Sequence, residues 1–410
     1  MNYQISHPNG IIDGEITIPA SKSISNRVLI IRELCKQKFQ ITNLSDSNDT
    51  KVLDHALKHN LNEVNIEDSG SAMRFLTALL AIKKNKSTII NGTAYMEKRP
   101  IGILVDGLIK LGAEIQYLKK PGFPPLKING RNLMGGEIDI DAQISSQFIS
   151  ALLLIAPILK KGLILNLKNC IVSKPYINMT LELMNRFGIQ YSWIKDQITI
   201  SPQKYMARDI QIEQDWSAVS FWCEIATLAK KINLKLNNLS LKSIQGDRKG
   251  IKLFQSINFE KYESGLHIKQ DNYIEYKEVI NCIEFPDLSI PLIITTSIMQ
   301  KRSVFKGLET LIIKESNRIE ALKKEMSKYG VYLEEKDNQV FIKSDKLSPP
   351  NKIFNTYNDH RIAMSIAPLA LKFPYIIINN IDVVKKSYPN FWNDLEKVGF
   401  IISPLTDLNS

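Results

Sequence analysis

Cysteine is scarce in this chain: Cys35, Cys170, Cys223 and Cys282 are the only four in 410 residues. No two stand close enough for a CxxC pair, and none lies at ligand spacing from a histidine. A disulfide framework and a structural zinc site are therefore excluded from the reading, and the thiols are expected to be reduced and partly buried. No apolar run is long enough to span a bilayer; the greasiest stretch, residues 152–159, is far too short. The start, Met1-Asn2-Tyr3-Gln4, lacks a basic segment followed by an apolar one, so no export signal is expected and the default compartment is the cytoplasm. Nineteen Gly and seventeen Pro show no low-complexity enrichment. A basic tract is also missing. The formal net charge is +11, yet acids interleave with bases, as in Lys323-Lys324-Glu325 and Glu334-Glu335-Lys336. Aromatic and basic residues do not alternate, so neither nucleic acid nor a membrane is an expected partner.

The composition, 44% apolar and 23% charged, is that of a globular protein. The length exceeds one ordinary core and points to two domains. Several expected helices end at Gly or Asn and run straight into an alternating strand. The endings fall at Gly112, Gly188, Asn258, Gly330 and Gly399, roughly 70 residues apart. A sixth, shorter copy ends near His59-Asn60. The unit reads as a βα module with extra strands, used about six times in an α/β fold. Expected strands include Glu15-Ile16-Thr17-Ile18, Leu126-Lys127-Ile128-Asn129 and Gln197-Ile198-Thr199-Ile200, all alternating. The first expected helix sets Ile24, Val28, Ile31 and Leu34 on one face, whereas Leu152-Leu153-Leu154-Ile155-Ala156 has little polar face and should be buried all round. Pro19-Ala20 and Ile212-Glu213 are candidate crossing points. They divide the chain into residues 1–18 plus 213–410 and residues 19–212.

The expected helices share a manner of starting: a cation stands next to a hydroxyl or a carboxylate. Ser21-Lys22-Ser23-Ile24-Ser25-Asn26-Arg27 is the first case, then Ser69-Gly70-Ser71-Ala72-Met73-Arg74, Lys98-Arg99-Pro100, Ser145-Ser146-Gln147 and Ser173-Lys174-Pro175-Tyr176. Lys314-Glu315-Ser316-Asn317-Arg318 and Asn358-Asp359-His360-Arg361 complete the set. A helix N-terminus carries unpaired N–H groups and about half a positive charge, which attract anions. Lys or Arg at several such ends describes a site for ligands bearing phosphate and carboxylate groups, and hence an enzyme acting on small molecules.

Pro19-Ala20-Ser21-Lys22-Ser23-Ile24-Ser25-Asn26-Arg27 resembles the first signature of the 5-enolpyruvylshikimate-3-phosphate synthases, members of the enolpyruvyl transferases. Asp68-Ser69-Gly70-Ser71-Ala72-Met73-Arg74, Lys98-Arg99-Pro100-Ile101-Gly102, Ser145-Ser146-Gln147-Phe148 and Ser173-Lys174-Pro175-Tyr176 resemble later signatures of that family. So do Lys314-Glu315-Ser316-Asn317-Arg318, Tyr357-Asn358-Asp359-His360-Arg361-Ile362-Ala363-Met364 and Lys386-Ser387-Tyr388-Pro389, all in the family's order. The resemblance implies two similar domains, each of three βαβαββ units, with ligands in the cleft between them. It implies transfer of the enolpyruvyl group of phosphoenolpyruvate to the 5-hydroxyl of shikimate 3-phosphate, in the shikimate pathway to aromatic amino acids. Addition and elimination pass through a tetrahedral intermediate, with no metal, no organic cofactor and a monomeric enzyme.

The residue roles follow from the same resemblance. Phosphoenolpyruvate falls to Lys22, Gly70, Arg99, Gln147, Arg318, Arg361 and Lys386. Shikimate 3-phosphate falls to Lys22, Ser23, Arg27, Ser145, Ser146, Gln147, Ser173, Asp287 and Lys314. Asp287 takes the 5-hydroxyl proton, and Glu315, with Lys22 as a participant, protonates and deprotonates the methylene carbon. Each role has a plainer alternative: Asp287 follows a proline and suits a turn, and Glu315 suits the first turn of a helix for its dipole. Asp68, Phe75 and Thr310 depart from the family pattern. The rival activity is UDP-N-acetylglucosamine 1-carboxyvinyl transfer. Ala94 stands where that enzyme's loop cysteine would fall, and Lys22-Ser23 where it has Lys-Asn. A rival of another class, an RNA-binding or RNA-end-processing protein, lacks stacking platforms in this sequence.

Overall fold

A computed structural model describes residues 1–59, 61–254, 257–270, 277–344 and 346–405. The chain forms two compact units: Met1–Pro19 with Glu213–Ser410, and Ala20–Ile212. It begins in the first unit with β1 (Asn2–Ser6) and β2 (Ile11–Thr17). The second unit then opens with α1 (Lys22–Leu34), β3 (Ile41–Thr42) and α2 (Asn48–Lys58). It continues through β4 (Glu63–Asn65), α3 (Gly70–Ile82), β5 (Ser87–Asn91), α4 (Gly102–Lys110), β6 (Glu114–Tyr117) and β7 (Leu126–Asn129). Next come β8 (Gly136–Asp141), α5 (Ser146–Ile155), β9 (Leu163–Lys168), α6 (Lys174–Arg186), β10 (Ser192–Ile194), β11 (Gln197–Ile200) and β12 (Ile210–Gln211).

Back in the first unit stand α7 (Trp216–Leu228), β13 (Lys231–Asn237), α8 (Asp247–Gly250), β14 (Ile257–Tyr262) and β15 (Gly265–Gln270). They are followed by β16 (Val279–Asn281), α9 (Ser289–Ile298), β17 (Val304–Lys306), α10 (Arg318–Met326), β18 (Val331–Lys336) and β19 (Gln339–Ser344). The last elements are α11 (His360–Ile366), β20 (Ile376–Asn379), α12 (Phe391–Lys397) and β21 (Ile401–Leu405).

Four sheets share one plan. Their orders are β4-β5-β7-β6, β8-β9-β11-β10, β2-β13-β15-β14 and β16-β17-β19-β18. In each, the first two strands are parallel and the other pairs antiparallel. A parallel pair needs a crossover, which a helix supplies, whereas the closing antiparallel pair can be a hairpin. Asp337 and Asn338, both at positive φ, make such a turn between β18 and β19. A fifth copy is permuted: Phe354 bridges in parallel to Ile378 of β20, and β1, from the other end of the chain, pairs with β20 and β21. The sixth is shortened to β12 beside β3 in parallel. Each copy is thus strand, helix, strand, helix, then a strand pair where it is complete.

The glycine endings at 112, 188, 330 and 399 all take positive φ, between +87° and +102°, where an L side chain is strained. Asn258 does not end a helix. It is the second residue of β14, because the preceding helix is the single turn α8. Asn60 lies outside the described residues.

The first helix of each copy is the buried one. In the second unit α1, α3 and α5 pack together, and every residue of α5 from Phe148 to Ile155 is buried. In the first unit α7, α9 and α11 do the same, around Trp222, Ile293 and Ile362. In the second unit, side chains near the starts of two of these helices touch. Asn26 Nδ2 at the head of α1 donates to Ser71 Oγ at the head of α3 (2.7 Å). No described helix is long and apolar enough to cross a membrane, and the four cysteines are free thiols.

Candidate active site

In the second unit, helix caps place the site residues. Ser21, Ser69 and Ser145 cap α1, α3 and α5, each side chain accepting a backbone N–H of the first turn. Ser173 stands at the cap of α6 in the left-handed region, φ +54°, and is buried. Lys98-Arg99-Pro100 closes a 3-10 turn and lies just ahead of α4, so it flanks that helix and does not begin it.

Lys22 Nζ lies 3.1 Å from Asp49 Oδ2 in the first turn of α2, and Asp49 is buried. Gly70 faces the Arg99 guanidinium so closely that a Cβ on Gly70 would sit 2.7 Å from Arg99 Nη1. Arg74 holds this pair in place: its Nη1 donates to Gly70 O, and its Nη2 donates to Pro100 O (2.8 Å). Asp68 accepts from Thr93 Oγ1, which anchors the same loop.

Arg27 turns inward. It is 3% exposed, and burial pushes its pKa down to about 10 despite a favourable contribution from Tyr176. Nε donates to Thr180 Oγ1 (2.6 Å), Nη1 to Ser23 O (2.8 Å), and Nη2 to Ser150 Oγ (3.2 Å) and Tyr176 O (3.4 Å). These bonds occupy four of its five N–H donors and tie α1 to α5 and α6. The Phe75 ring lies 5.3 Å beneath its guanidinium carbon, which gives the family departure at Phe75 a packing partner. Arg27 thereby links the helix ends that carry Lys22, Ser23, Ser145, Ser146, Gln147 and Ser173.

In the first unit, one arginine organises three carboxylates. Arg318 begins α10 and is 1% exposed. Its Nε donates to Asp359 Oδ2 (2.8 Å) and its Nη2 to Asp359 Oδ1 (3.2 Å). Nη2 also donates to Glu315 Oε2 (2.9 Å), and Nη1 lies 3.7 Å from Asp287 Oδ1. Burial disfavours the charge, but Asp359, Glu315 and Asp287 together override it and raise the pKa. Arg318 Nη1 makes no hydrogen bond to the described residues. Arg361 Nη2 lies 2.8 Å from Asp287 Oδ2, and its Nη1 donates to Asp287 O (3.0 Å). Lys386 Nζ is 3.9 Å from Glu315 Oε1. The half-buried Lys314 precedes Glu315.

Asp359 caps α11 through Arg361 N (3.0 Å), so one carboxylate fixes both arginines. The chain reaches it through Tyr357 and Asn358, both at positive φ. Tyr357 Oη donates to the buried Glu325 (2.6 Å) and Asn380 Nδ2 to Asn358 Oδ1 (2.7 Å), which hold that strained pair. Asp49, Glu325 and the buried Asp247 are polar groups that no sequence motif singled out. His360, next to Asp359 in sequence, is buried, and so is Thr310 in the 3-10 turn that ends before Lys314.

The arrangement offers cations at helix ends and two partly exposed carboxylates, Asp287 and Glu315, held by one arginine. A family model described as EPSP synthase (3-phosphoshikimate 1-carboxyvinyltransferase) matches residues 7–68 and 59–395. A 3-phosphoshikimate 1-carboxyvinyltransferase of Bacteroides fragilis is 44% identical over 407 residues, which is 98% of each chain. One from Shewanella denitrificans is 32% identical over 429 residues, covering 95% of this chain and 97% of its own. A solved structure of EPSP synthase from Acinetobacter baumannii shares the fold, with a TM-score of 0.79 at 20% identity, over 98% of this chain and all of that one.

Proposed function

Because the chain belongs to the EPSP synthase (3-phosphoshikimate 1-carboxyvinyltransferase) family, we propose that it transfers the enolpyruvyl group of phosphoenolpyruvate to the 5-hydroxyl of shikimate 3-phosphate. The hydroxyl oxygen bonds to C2 of phosphoenolpyruvate while C3 gains a proton, giving the tetrahedral intermediate. C3 then loses a proton, the C2–O bond to phosphate breaks, and inorganic phosphate leaves. Asp287 accepts the hydroxyl proton. Glu315, with Lys22, delivers the proton to C3 and takes one back. The observation that carries this reading is the joint hold of Arg318 on Glu315 and Asp287, which fixes an acid and a base as one set.

Lys22, Arg99, Arg318, Arg361 and Lys386 offset the charge of phosphoenolpyruvate. Arg318 Nη1, buried without a hydrogen bond to the described residues, supports its place on the anion. Ser23, Arg27, Ser145, Ser146, Ser173, Asp287 and Lys314 serve shikimate 3-phosphate, Lys22 and Gln147 serve both ligands, and Arg27 also ties the three helices together. Proton transfers supply about 10²–10⁴ in rate, and orientation can supply roughly 7–11 kcal/mol, so positioning is the larger share. The reaction is assigned to a cytoplasmic monomer, with residues 1–18 plus 213–410 and residues 19–212 as its domains.

Purified protein given both substrates is expected to release inorganic phosphate and to release none with either alone. Phosphate release only with UDP-N-acetylglucosamine would reassign the acceptor. Gly70→Ala is expected to raise KM for phosphoenolpyruvate by roughly 10–100-fold, since the new Cβ must displace the Arg99 guanidinium assigned to that anion. KM for shikimate 3-phosphate should move little in the same steady-state experiment. Equal rises in both constants would remove Gly70 and Arg99 from the phosphoenolpyruvate side.

A further inference from the structure

The repeat puts a site residue, or in Asp49 the partner of one, at or just ahead of the second helix in five copies. Asp49 lies in the first turn of α2, Arg99 ahead of α4, Ser173 at the cap of α6, Glu315 and Arg318 at the start of α10, and Lys386 ahead of α12. The second helix of the remaining copy is α8, and it opens on Asp247. Asp247 is 3% exposed, and its Oδ2 accepts from Ser217 Oγ (2.5 Å) in the first turn of α7. The turn α8 is pressed onto the segment that carries Asp287: a Cβ on Gly250 would come 2.7 Å from Phe285 Cγ and 2.8 Å from Leu288 Cδ2.

The charges that act on Asp247 are those of Asp287 on that segment, Arg361 on α11 and Asp215 at the cap of α7, and Arg248 and Lys249 follow it in sequence on α8. We infer that Asp247 is a positioning residue of the first-unit site: protonated, it leaves Asp287 as the charged partner of Arg361, and ionised, it competes for Arg361 with the anionic substrate. The inference rests on the proposed transfer reaction for its kinetic consequence. Burial, then the charge of Asp287, push its pKa up to about 7, against the Ser217 hydrogen bond and Arg361. The sign is that of an acid: neutral below about 7 and negative above it. Affinity for phosphoenolpyruvate therefore falls as pH rises through that value.

The test compares KM for phosphoenolpyruvate between about pH 6 and about pH 8.5 in the parent enzyme and in Asp247→Asn. The parent is expected to show a rise larger than the variant's by roughly threefold to tenfold, with KM for shikimate 3-phosphate much less affected. Ser217→Ala removes a bond that favours the ionised form, so the midpoint should move to higher pH in that variant. Superimposable profiles for parent and Asp247→Asn, or an unmoved midpoint in Ser217→Ala, overturn the inference. A readout independent of turnover is the carboxyl-carbon NMR titration of aspartate-labelled full-length protein. A signal lost in Asp247→Asn should titrate near neutrality, and a midpoint in the ordinary aspartate range overturns the inference even in an enzyme that works. Failure of the parent to turn over both substrates counts instead against the proposed reaction.

Discussion

Glu315→Gln is expected to lower kcat by about 10²–10⁴ while the affinity for shikimate 3-phosphate stays within about twofold. The change removes a proton carrier without removing a hydrogen-bond acceptor. Glu315 Oε2 accepts from Arg318 Nη2 at 2.9 Å, and the amide oxygen of Gln can accept the same bond. Arg318 also keeps its two bonds to Asp359, so the start of α10 stays in place. The serine segments assigned to shikimate 3-phosphate belong to the second unit, whereas Glu315 belongs to the first. Single-turnover kinetics and calorimetric titration separate the two quantities. Unchanged kcat would take Glu315 out of the chemistry. A loss of shikimate 3-phosphate affinity equal to the loss of kcat would make it a binding residue instead.

What the sequence made legible has a physical pattern. Glycines that end helices are visible because the left-handed conformation selects for them, and the four glycine endings adopt it. Asn258 misled because α8 is one turn long, too short for helical periodicity to register, so the strand begins earlier than a helix-ending residue would allow. The helix starts at Ser21, Ser69, Ser145, Asn317 and Asp359 were legible because capping needs particular side chains. Arg27 was readable as a cation of the first helix start, but its direction was not. Its partners Ser150 and Thr180 are 123 and 153 residues away in the chain. Asp247 and Glu325 carry no local signal, since their importance lies in burial and in charges brought from other copies. Glu224 makes the point most sharply. It sits fully buried on α7 with no hydrogen-bond partner among the described residues, and burial raises its carboxyl pKa well above the usual range. No periodic pattern would place a carboxylate there.

Arg318→Gln is expected to destabilise the protein by about 3–5 kcal/mol, the cost of stripping one partner from a buried ion pair. Asp359 is fully buried, and Arg318 meets it with two hydrogen bonds. Gln cannot supply that planar fork or its charge. The loss spreads along two routes. Asp359 caps α11 and orients Arg361, while Glu315 and Asp287 lose the cation they share. Packing loss and charge loss can be told apart by pH. A buried carboxylate without its cation is less costly when protonated. The folded variant then binds more protons than its unfolded chain, so its stability falls as pH rises. The deficit against the parent in urea unfolding should therefore be larger at about pH 8 than at about pH 5. Adding Asp359→Asn to Arg318→Gln should recover part of the loss, because the orphaned charge goes with it, and the two effects should not add. A deficit that ignores pH and adds with Asp359→Asn would mean that Arg318 matters for its volume and not for the charge it holds at the centre of this network.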